Sequence, residues 1–100
     1  MNILMILTSH DQMGDTGEKT GLWLEEFAAP FYVFQDAGAT ITLASPKGGA
    51  APIDPRSETE DAQTDATKRY YADTRVQEAL QSTNTLADVE PENFVAVSVP

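Results

Sequence analysis

An uninterrupted aliphatic run near the amino terminus is the feature that most restricts the fold of this chain. The run spans residues 2–8. A strand without polar alternation is typical of a parallel sheet that is covered on both faces. The polar stretch that follows, residues 9–20, contains Gly14 and Gly17, which tolerate positive φ. We therefore predict a central strand followed by a loop of the kind that often carries function.

A helix and a second strand follow this loop. Residues 21–37 have helical spacing of apolar side chains, with Thr20 as the predicted N-cap and Gly38 as a left-handed C-cap. Residues 39–45 form a second predicted strand, which Pro46 ends. The pattern predicts a right-handed βαβ crossover with two parallel strands.

The rest of the chain predicts a longer excursion, a second helix and a third strand. Residues 46–67 are rich in Gly, Pro and acidic side chains and predict an acidic loop, either ordered over the surface or flexible. Residues 73–81 resume helical spacing, residues 86–89 are ambiguous, and residues 91–93 predict a turn. Residues 94–99 predict a third buried strand. This order predicts an α/β doubly wound parallel sheet, and three strands are few enough that we expect more structure on the carboxyl-terminal side.

The charge of the chain disfavours two classes of partner. Sixteen Asp and Glu against six Lys and Arg give a formal net charge of −10. Such a field repels phosphate backbones and anionic membrane surfaces, so we expect neither nucleic acid nor a membrane as a partner. The apolar run near the amino terminus is too short for a signal-peptide core or a bilayer span, which predicts a cytoplasmic protein.

The chain contains no cysteine. Disulfides, thiolate metal sites and a cysteine nucleophile are therefore all excluded within these 100 residues. The single histidine, His10, has no second histidine beside it, and no carboxylate cluster has the spacing of a metal site. We accordingly predict no metal site.

Two adjacent glutamates in the predicted helix point in different directions when residues are placed about 100° apart. Glu25 falls on the polar side, with Tyr32 and Asp36. Glu26 falls within an apolar arc that consists of Leu22, Trp23, Pro30 and Val33. An ionised carboxylate in such surroundings is costly without a partner and often marks a functional site. The alternative is a Glu26 side chain that reaches past its neighbours to water or to a backbone amide.

The loop after the first strand offers weaker candidates. His10 lies where α/β folds place ligands, beyond the carboxyl end of a strand, although a lone loop histidine is more often a surface residue. Residues 14–21 resemble a phosphate-binding loop, but Glu18 precedes Lys19 and position 13 is Met. A nucleotide-binding flavodoxin-like protein therefore stays a minor alternative.

Six features follow one another along nearly the whole chain: residues 6–11, 20–26, Pro30, 36–39, 44–49 and 52–57. In their order and spacing, these features together resemble the amino-terminal part of the ThiJ/PfpI superfamily, in particular its chaperone-like glyoxalase III branch. The resemblance implies a flavodoxin-like three-layer parallel sheet, of which only the amino-terminal strands and helices are present. We therefore treat residues 1–100 as the first part of a single domain.

The resemblance also implies a site and a reaction. In that family a Glu of the first helix approaches a Cys held on a strained elbow, and Glu26 is the matching position here; His10 and Gly17 are candidate substrate contacts. The implied substrates are α-oxoaldehydes such as methylglyoxal, converted without a cofactor to a hydroxy acid, and deglycase or chaperone activity is also implied. The Cys, its neighbouring His and the last acid would follow Pro100, so we expect this chain to be inactive alone. The expected partners are a carboxyl-terminal half and, in the complete protein, a second copy.

A second hypothesis from another class is a non-catalytic interaction or holdase module. It depends on the unpaired edge of the third predicted strand, because an open strand edge is a template for pairing with another chain.

Overall fold

The computed structural model describes residues 1–11 and 19–100 and contains a four-stranded sheet in the order β3-β2-β1-β4. The strands are β1 (Asn2–Ile6), β2 (Thr40–Ser45), β3 (Asn84–Thr85) and β4 (Ala96–Ser98). All three strand pairings are parallel, and Ile3 lies opposite Ile41 on one side and Ala96 on the other. The predicted α/β fold with a parallel sheet is confirmed, and its arrangement is that of a partial flavodoxin-like domain.

In the described part of the chain, three α-helices accompany the sheet: α1 (Leu24–Asp36), α2 (Asp65–Tyr71) and α3 (Thr74–Gln81). Alternate side chains of the first strand region, Ile3, Met5 and Leu7, belong to the same buried cluster as residues from all three helices. Phe27 of α1 and Leu80 of α3 are among the fully buried side chains of this core. Burial of large apolar side chains of this kind is the main favourable contribution to folding.

Helix α1 begins three residues later than predicted, and the prediction of Thr20 as its N-cap is wrong. Trp23 is the N-cap residue and makes no side-chain capping hydrogen bond. The carboxyl-terminal end agrees with the prediction, because Gly38 has a φ of +87° and follows the last turn. The amino-terminal end is instead held by a residue from a later segment, as described below.

The segment predicted as an acidic loop over residues 46–67 is ordered and partly helical. Two 3-10 helices occupy Pro55–Glu58 and Glu60–Ala62, and α2 then begins at Asp65. Thr64 caps α2 through a reciprocal pair of hydrogen bonds with Thr67. Periodicity missed this helix because seven residues make barely two turns, too few for an apolar stripe to be recognised.

The predicted third strand is present as β4, but it is not buried. It lies at the edge of the sheet, and within the described ranges no strand pairs with its outer side. Val97 lies opposite Leu4 in the register and therefore points away from the face that carries the helices. Val95, Val97 and Val99 are all exposed. The prediction of burial was wrong because apolar composition reports what a strand can bury and not whether a neighbour is present.

Two more 3-10 helices precede β4: Leu86–Asp88 lies in the stretch that was ambiguous, and Pro91–Asn93 lies where a turn was predicted. In the part of the chain that the structure describes, no helix is long and apolar enough to cross a membrane.

Candidate functional site

The carboxyl ends of β1 and β2 and the first turn of α1 lie at one edge of the sheet. This follows from the βαβ topology, because the helix runs back against the direction of the strands it joins. Two hydrogen bonds hold the chain together beyond the strand ends: the Leu7 N–H donates to the Ala44 carbonyl at 2.7 Å, and the Lys47 N–H donates to Ser9 Oγ at 3.0 Å. Ligands of α/β proteins bind at this edge.

A short parallel bridge joins the segment before α1 to the segment after β2. The Leu22 N–H donates to the Pro52 carbonyl and the Asp54 N–H donates to the Leu22 carbonyl, both at 2.9 Å. Gly21 fits against this bridge only because it has no side chain, since a Cβ atom there would lie 2.3 Å from the Pro52 oxygen. The close backbone approach therefore explains the glycine at this position.

Asp54 is a buried carboxylate at the junction where this bridge joins the segment before α1 to the segment after β2. Only 3% of the surface of Asp54 is exposed. It accepts hydrogen bonds from the Arg56 backbone N–H at 2.9 Å, from Arg56 Nε at 3.0 Å and from Arg56 Nη2 at 2.6 Å. Thr20 Oγ1 donates a further bond at 3.2 Å. These interactions, chiefly the side-chain bond from Arg56, lower the pKa of Asp54 to about 2.

Ser57 connects the same segment to the first turn of α1. Its side chain is fully buried, and its Oγ donates to the Asp54 carbonyl oxygen at 2.7 Å. The same Oγ accepts the Leu24 N–H at 3.1 Å. The first N–H groups of a helix have no partner within the helix, so Ser57 performs the role of an N-cap from 33 residues away in sequence.

A cavity of about 310 Å³ opens beside this junction. Its lining residues are Asp11, Lys19, Thr20, Pro52 and Ile53. A somewhat larger cavity lies along α3, lined by residues such as Thr74 and Gln77, at a distance in sequence from every predicted site residue. We favour the smaller cavity because it follows the carboxyl ends of the strands.

Glu26 is exposed in this structure, so the prediction that apolar neighbours enclose it is wrong for this chain. The face of α1 turned to the core consists of Leu24, Phe27, Ala28, Phe31 and Tyr32. Two members of the predicted arc, Trp23 and Val33, are 40% and 66% exposed. The arc was misplaced because Leu22 and Trp23 precede the helix and do not follow its angular spacing. Glu25, expected on the solvated side, is half-buried.

Of the other two predicted contact residues, the structure describes His10 but not Gly17. His10 is exposed, and its backbone N–H donates to Thr8 Oγ1 at 3.0 Å. Gly17 and most of the loop that resembles a phosphate-binding site lie outside the described residues. Within residues 1–11 and 19–100, no group of three or more His, Asp or Glu side chains is arranged to hold a metal ion.

Sequence reasoning missed Asp54, Arg56 and Ser57 as a structural unit. These residues belong to one of the features that carry the family resemblance. The only signal available was an Asp followed by Pro and, three residues later, Ser, which is typical of a tight capped turn. The partner of this turn, the start of α1, is set by tertiary contact.

Comparisons with solved structures agree with the fold. The chain is similar to the Rapid Encystment Protein 24 KDa (REP24) of Francisella tularensis, with a TM-score of 0.88 and 36% identity over 98% of this chain and 43% of that chain. It is also similar to glyoxalase III of Candida albicans, with a TM-score of 0.80 and 27% identity over 96% of this chain and 41% of that chain. No protein-family model and no curated protein matches the sequence. The similarity to glyoxalase III supports the predicted resemblance to the ThiJ/PfpI superfamily. The chain spans about two fifths of the length of these two solved proteins.

Proposed function

We propose that this chain is the amino-terminal part of a ThiJ/PfpI-like, cysteine-dependent enzyme that acts on α-oxoaldehydes. The observation that carries the proposal is the similarity to the Candida glyoxalase III over nearly the whole of this chain. The chain supplies Glu26 at the carboxyl edge of the sheet, and residues of the remaining part of the domain supply the nucleophile. Alone, the chain is inactive because it contains no cysteine.

The exposure of Glu26 is compatible with a site that is completed by another segment. Glu26 shares the outer surface of α1 with Val33, an apolar side chain that is largely exposed. An apolar surface beside a carboxylate is stabilised when a further layer of the fold covers it. In the proposal the carboxyl-terminal half provides this layer and brings a cysteine to Glu26.

The chemistry requires a proton carrier beside the nucleophile. Converting an α-oxoaldehyde to a hydroxy acid is an internal redox reaction that consumes one water and no external oxidant. The thiolate adds to the aldehyde carbon, the hydrogen on that carbon leaves as a proton, and a proton is returned to the neighbouring carbon, which becomes the alcohol. Water then hydrolyses the resulting thioester and releases the thiol. A carboxyl group such as that of Glu26 is suited to carry the proton between the two carbons.

A chimera tests this proposal. Residues 1–100 replace the matching segment of the Candida enzyme, and the loss of methylglyoxal and the formation of lactate are measured. We expect the chimera to be active and Glu26→Gln to lower kcat by about 10²-fold or more, as is typical for loss of a general acid or base. Glu25→Gln is the matched control, since it removes the same charge one residue away, and we expect a change of less than about threefold.

Two outcomes would contradict the proposal. One is a chimera that unfolds cooperatively yet leaves methylglyoxal unchanged. The other is an active chimera in which Glu26→Gln and Glu25→Gln have the same kinetics, which would remove Glu26 from the mechanism while leaving the family relation intact.

The exposed valines in and beside β4 favour a second candidate, a non-catalytic interaction module. Val97 lies in this edge strand and Val95 and Val99 flank it, and together they form an apolar surface suited to binding another chain. Light scattering on the purified chain separates the candidates. A monodisperse monomer that unfolds cooperatively would favour a self-sufficient module, whereas concentration-dependent association would favour a half that lacks its covering layer.

A further inference from the structure

We infer that Asp54 and Ser57 are positioning residues that set the place of the first turn of α1, and thereby of Glu26, against the segment that follows β2. The inference rests on the proposed function for the role of Glu26, but the anchoring of the turn does not. Below, the two residues are referred to as the Asp54–Ser57 anchor.

Among the described residues, none close in sequence supplies a side-chain cap to the start of α1. Trp23 provides no capping side chain, so the Leu24 N–H finds its acceptor in Ser57 Oγ. A cap supplied from the same stretch of chain would stabilise the helix without fixing where it lies. A cap supplied from residue 57 instead ties the helix end to the segment after β2.

Asp54 fixes the other half of this tie. Its backbone N–H donates to the Leu22 carbonyl, and its carboxylate accepts from Thr20 Oγ1, so two points before the helix are held by one residue. The same carboxylate is held in turn by three nitrogen donors of Arg56. Ser57 Oγ donates to the Asp54 carbonyl, which joins both members of the anchor into one hydrogen-bonded unit.

Glu26 follows Leu24 by two residues, within the same first turn. A displacement of that turn therefore moves the Glu26 carboxyl relative to any group that approaches from outside. Misplacement of a reacting group by about 1 Å can cost about 10²-fold in rate. No residue of the anchor needs to touch a substrate to have this effect.

The anchor is tested first on the chain itself, by amide hydrogen exchange after Ser57→Ala. We expect the protection of the Leu24 amide to fall about fivefold to tenfold, since one hydrogen bond is lost. Thr59→Ala is the matched control: it removes a hydroxyl from the same segment whose only described partner is the Arg56 carbonyl, and it should leave Leu24 unchanged within about twofold. Unchanged Leu24 protection in Ser57→Ala would overturn the anchor.

A second pair of variants keeps the test decisive if Ser57→Ala does not fold. Asp54→Asn preserves the shape of the side chain and removes its charge, while Asp36→Asn makes the same change at the opposite end of α1, where Asp36 also binds an arginine. Trp23, the only tryptophan, adjoins the anchored turn and reports its environment by fluorescence. We expect a shift of the emission maximum with Asp54→Asn and none with Asp36→Asn. Equal spectra would contradict the anchor.

The positioning role is then measured in the chimera. We expect Ser57→Ala to lower kcat about tenfold with KM within about twofold of the unsubstituted chimera, because the reacting group moves while binding contacts persist. If Leu24 protection falls but kcat does not, while Glu26→Gln is impaired, the positioning role fails and the proposed function stands. If the folded chimera is inactive, the proposed function fails, the positioning of a reacting group fails with it, and only the anchored turn stands on the exchange result.

Discussion

An aspartate–arginine pair lies near each end of α1, but the two pairs lie in different surroundings. At the amino-terminal end, the side chain of Asp54 is 4% exposed and bound by Thr20 as well as Arg56. At the carboxyl-terminal end, the side chain of Asp36 is 59% exposed and binds Arg69 through two 2.8 Å hydrogen bonds. The carboxylate is therefore inside the fold at one end and in solvent at the other, while the arginine side chain is partly exposed in both pairs.

The difference shows that a charged pair fixes the position of neighbouring backbone segments when its carboxylate is buried. An exposed pair is screened by salt and contributes little, because both side chains have water as an alternative partner. A buried carboxylate must keep all of its partners, so it holds their backbones in one arrangement. The carboxyl-terminal end instead depends on Tyr32, whose hydroxyl donates to Asp73 at 3.0 Å and whose ring lies 4.0 Å from the Arg69 guanidinium.

The largest expected effect comes from Gly21→Ala at the amino-terminal end. The new Cβ would lie 2.3 Å from the Pro52 carbonyl oxygen, so the bridge beneath the anchor must open or shift. We expect a loss of about 3 kcal/mol in the free energy of unfolding, measured by urea denaturation, in the upper range for overpacking. Gly49→Ala is the control, since its positive φ is strained for alanine but a Cβ there meets nothing within 4 Å, and it should cost about 1–2 kcal/mol.

At the carboxyl-terminal end, Asp73→Ala is expected to have the next largest effect. Asp73 caps α3 through the Val76 N–H and accepts the Tyr32 hydroxyl, so its loss removes a cap and leaves a buried donor without its acceptor. We expect the free energy of unfolding to fall by about 2 kcal/mol. Tyr32→Phe removes only the hydroxyl and should cost about 1 kcal/mol; an equal loss for both variants would mean that the cap contributes nothing.

Acid is expected to weaken the interactions of the buried Asp54 carboxylate at a low and defined pH. The pKa of Asp54 in the folded protein, about 2, lies below its ordinary value of 3.8. Its contribution to stability is therefore complete above about pH 4 and is lost as the pH falls through 2. Urea midpoints measured between pH 5 and pH 2 should fall more steeply for the unsubstituted chain than for Asp54→Asn. Parallel curves would show that the pair does not couple to folding.

The smallest effect is expected for Asp36→Asn at neutral pH. Arg69 lowers the pKa of Asp36 mainly by hydrogen bonding, yet both side chains are in contact with solvent. We expect a small decrease in the urea midpoint at low ionic strength that disappears in about 0.5 M salt, where the Debye length is only a few ångströms. A loss as large as that of Asp73→Ala, persisting in salt, would erase the distinction between the two ends of α1.

Local patterns predicted the elements whose signal lies in contiguous residues. The aliphatic run near the amino terminus became β1, and Gly38 ends α1 with the predicted positive φ. Helix α2 and the two-residue strand β3 were missed, because such short elements are stabilised by contacts rather than by periodicity. The predicted burial of Glu26 was wrong for a related reason: the angular spacing was counted from residues that precede the helix.

The succession of β1, α1 and β2, the absence of a cysteine nucleophile and the excess of negative charge followed from the sequence alone, since each depends on composition or on neighbours along the chain. Which residue caps α1, which aspartate is buried and which face of the helix meets the sheet were decided only by the tertiary structure. Leu24 and Ser57 are 33 residues apart, and no local spacing encodes a hydrogen bond between them. Sequence patterns indicate which local structure a residue favours, whereas tertiary packing determines which distant residue it binds.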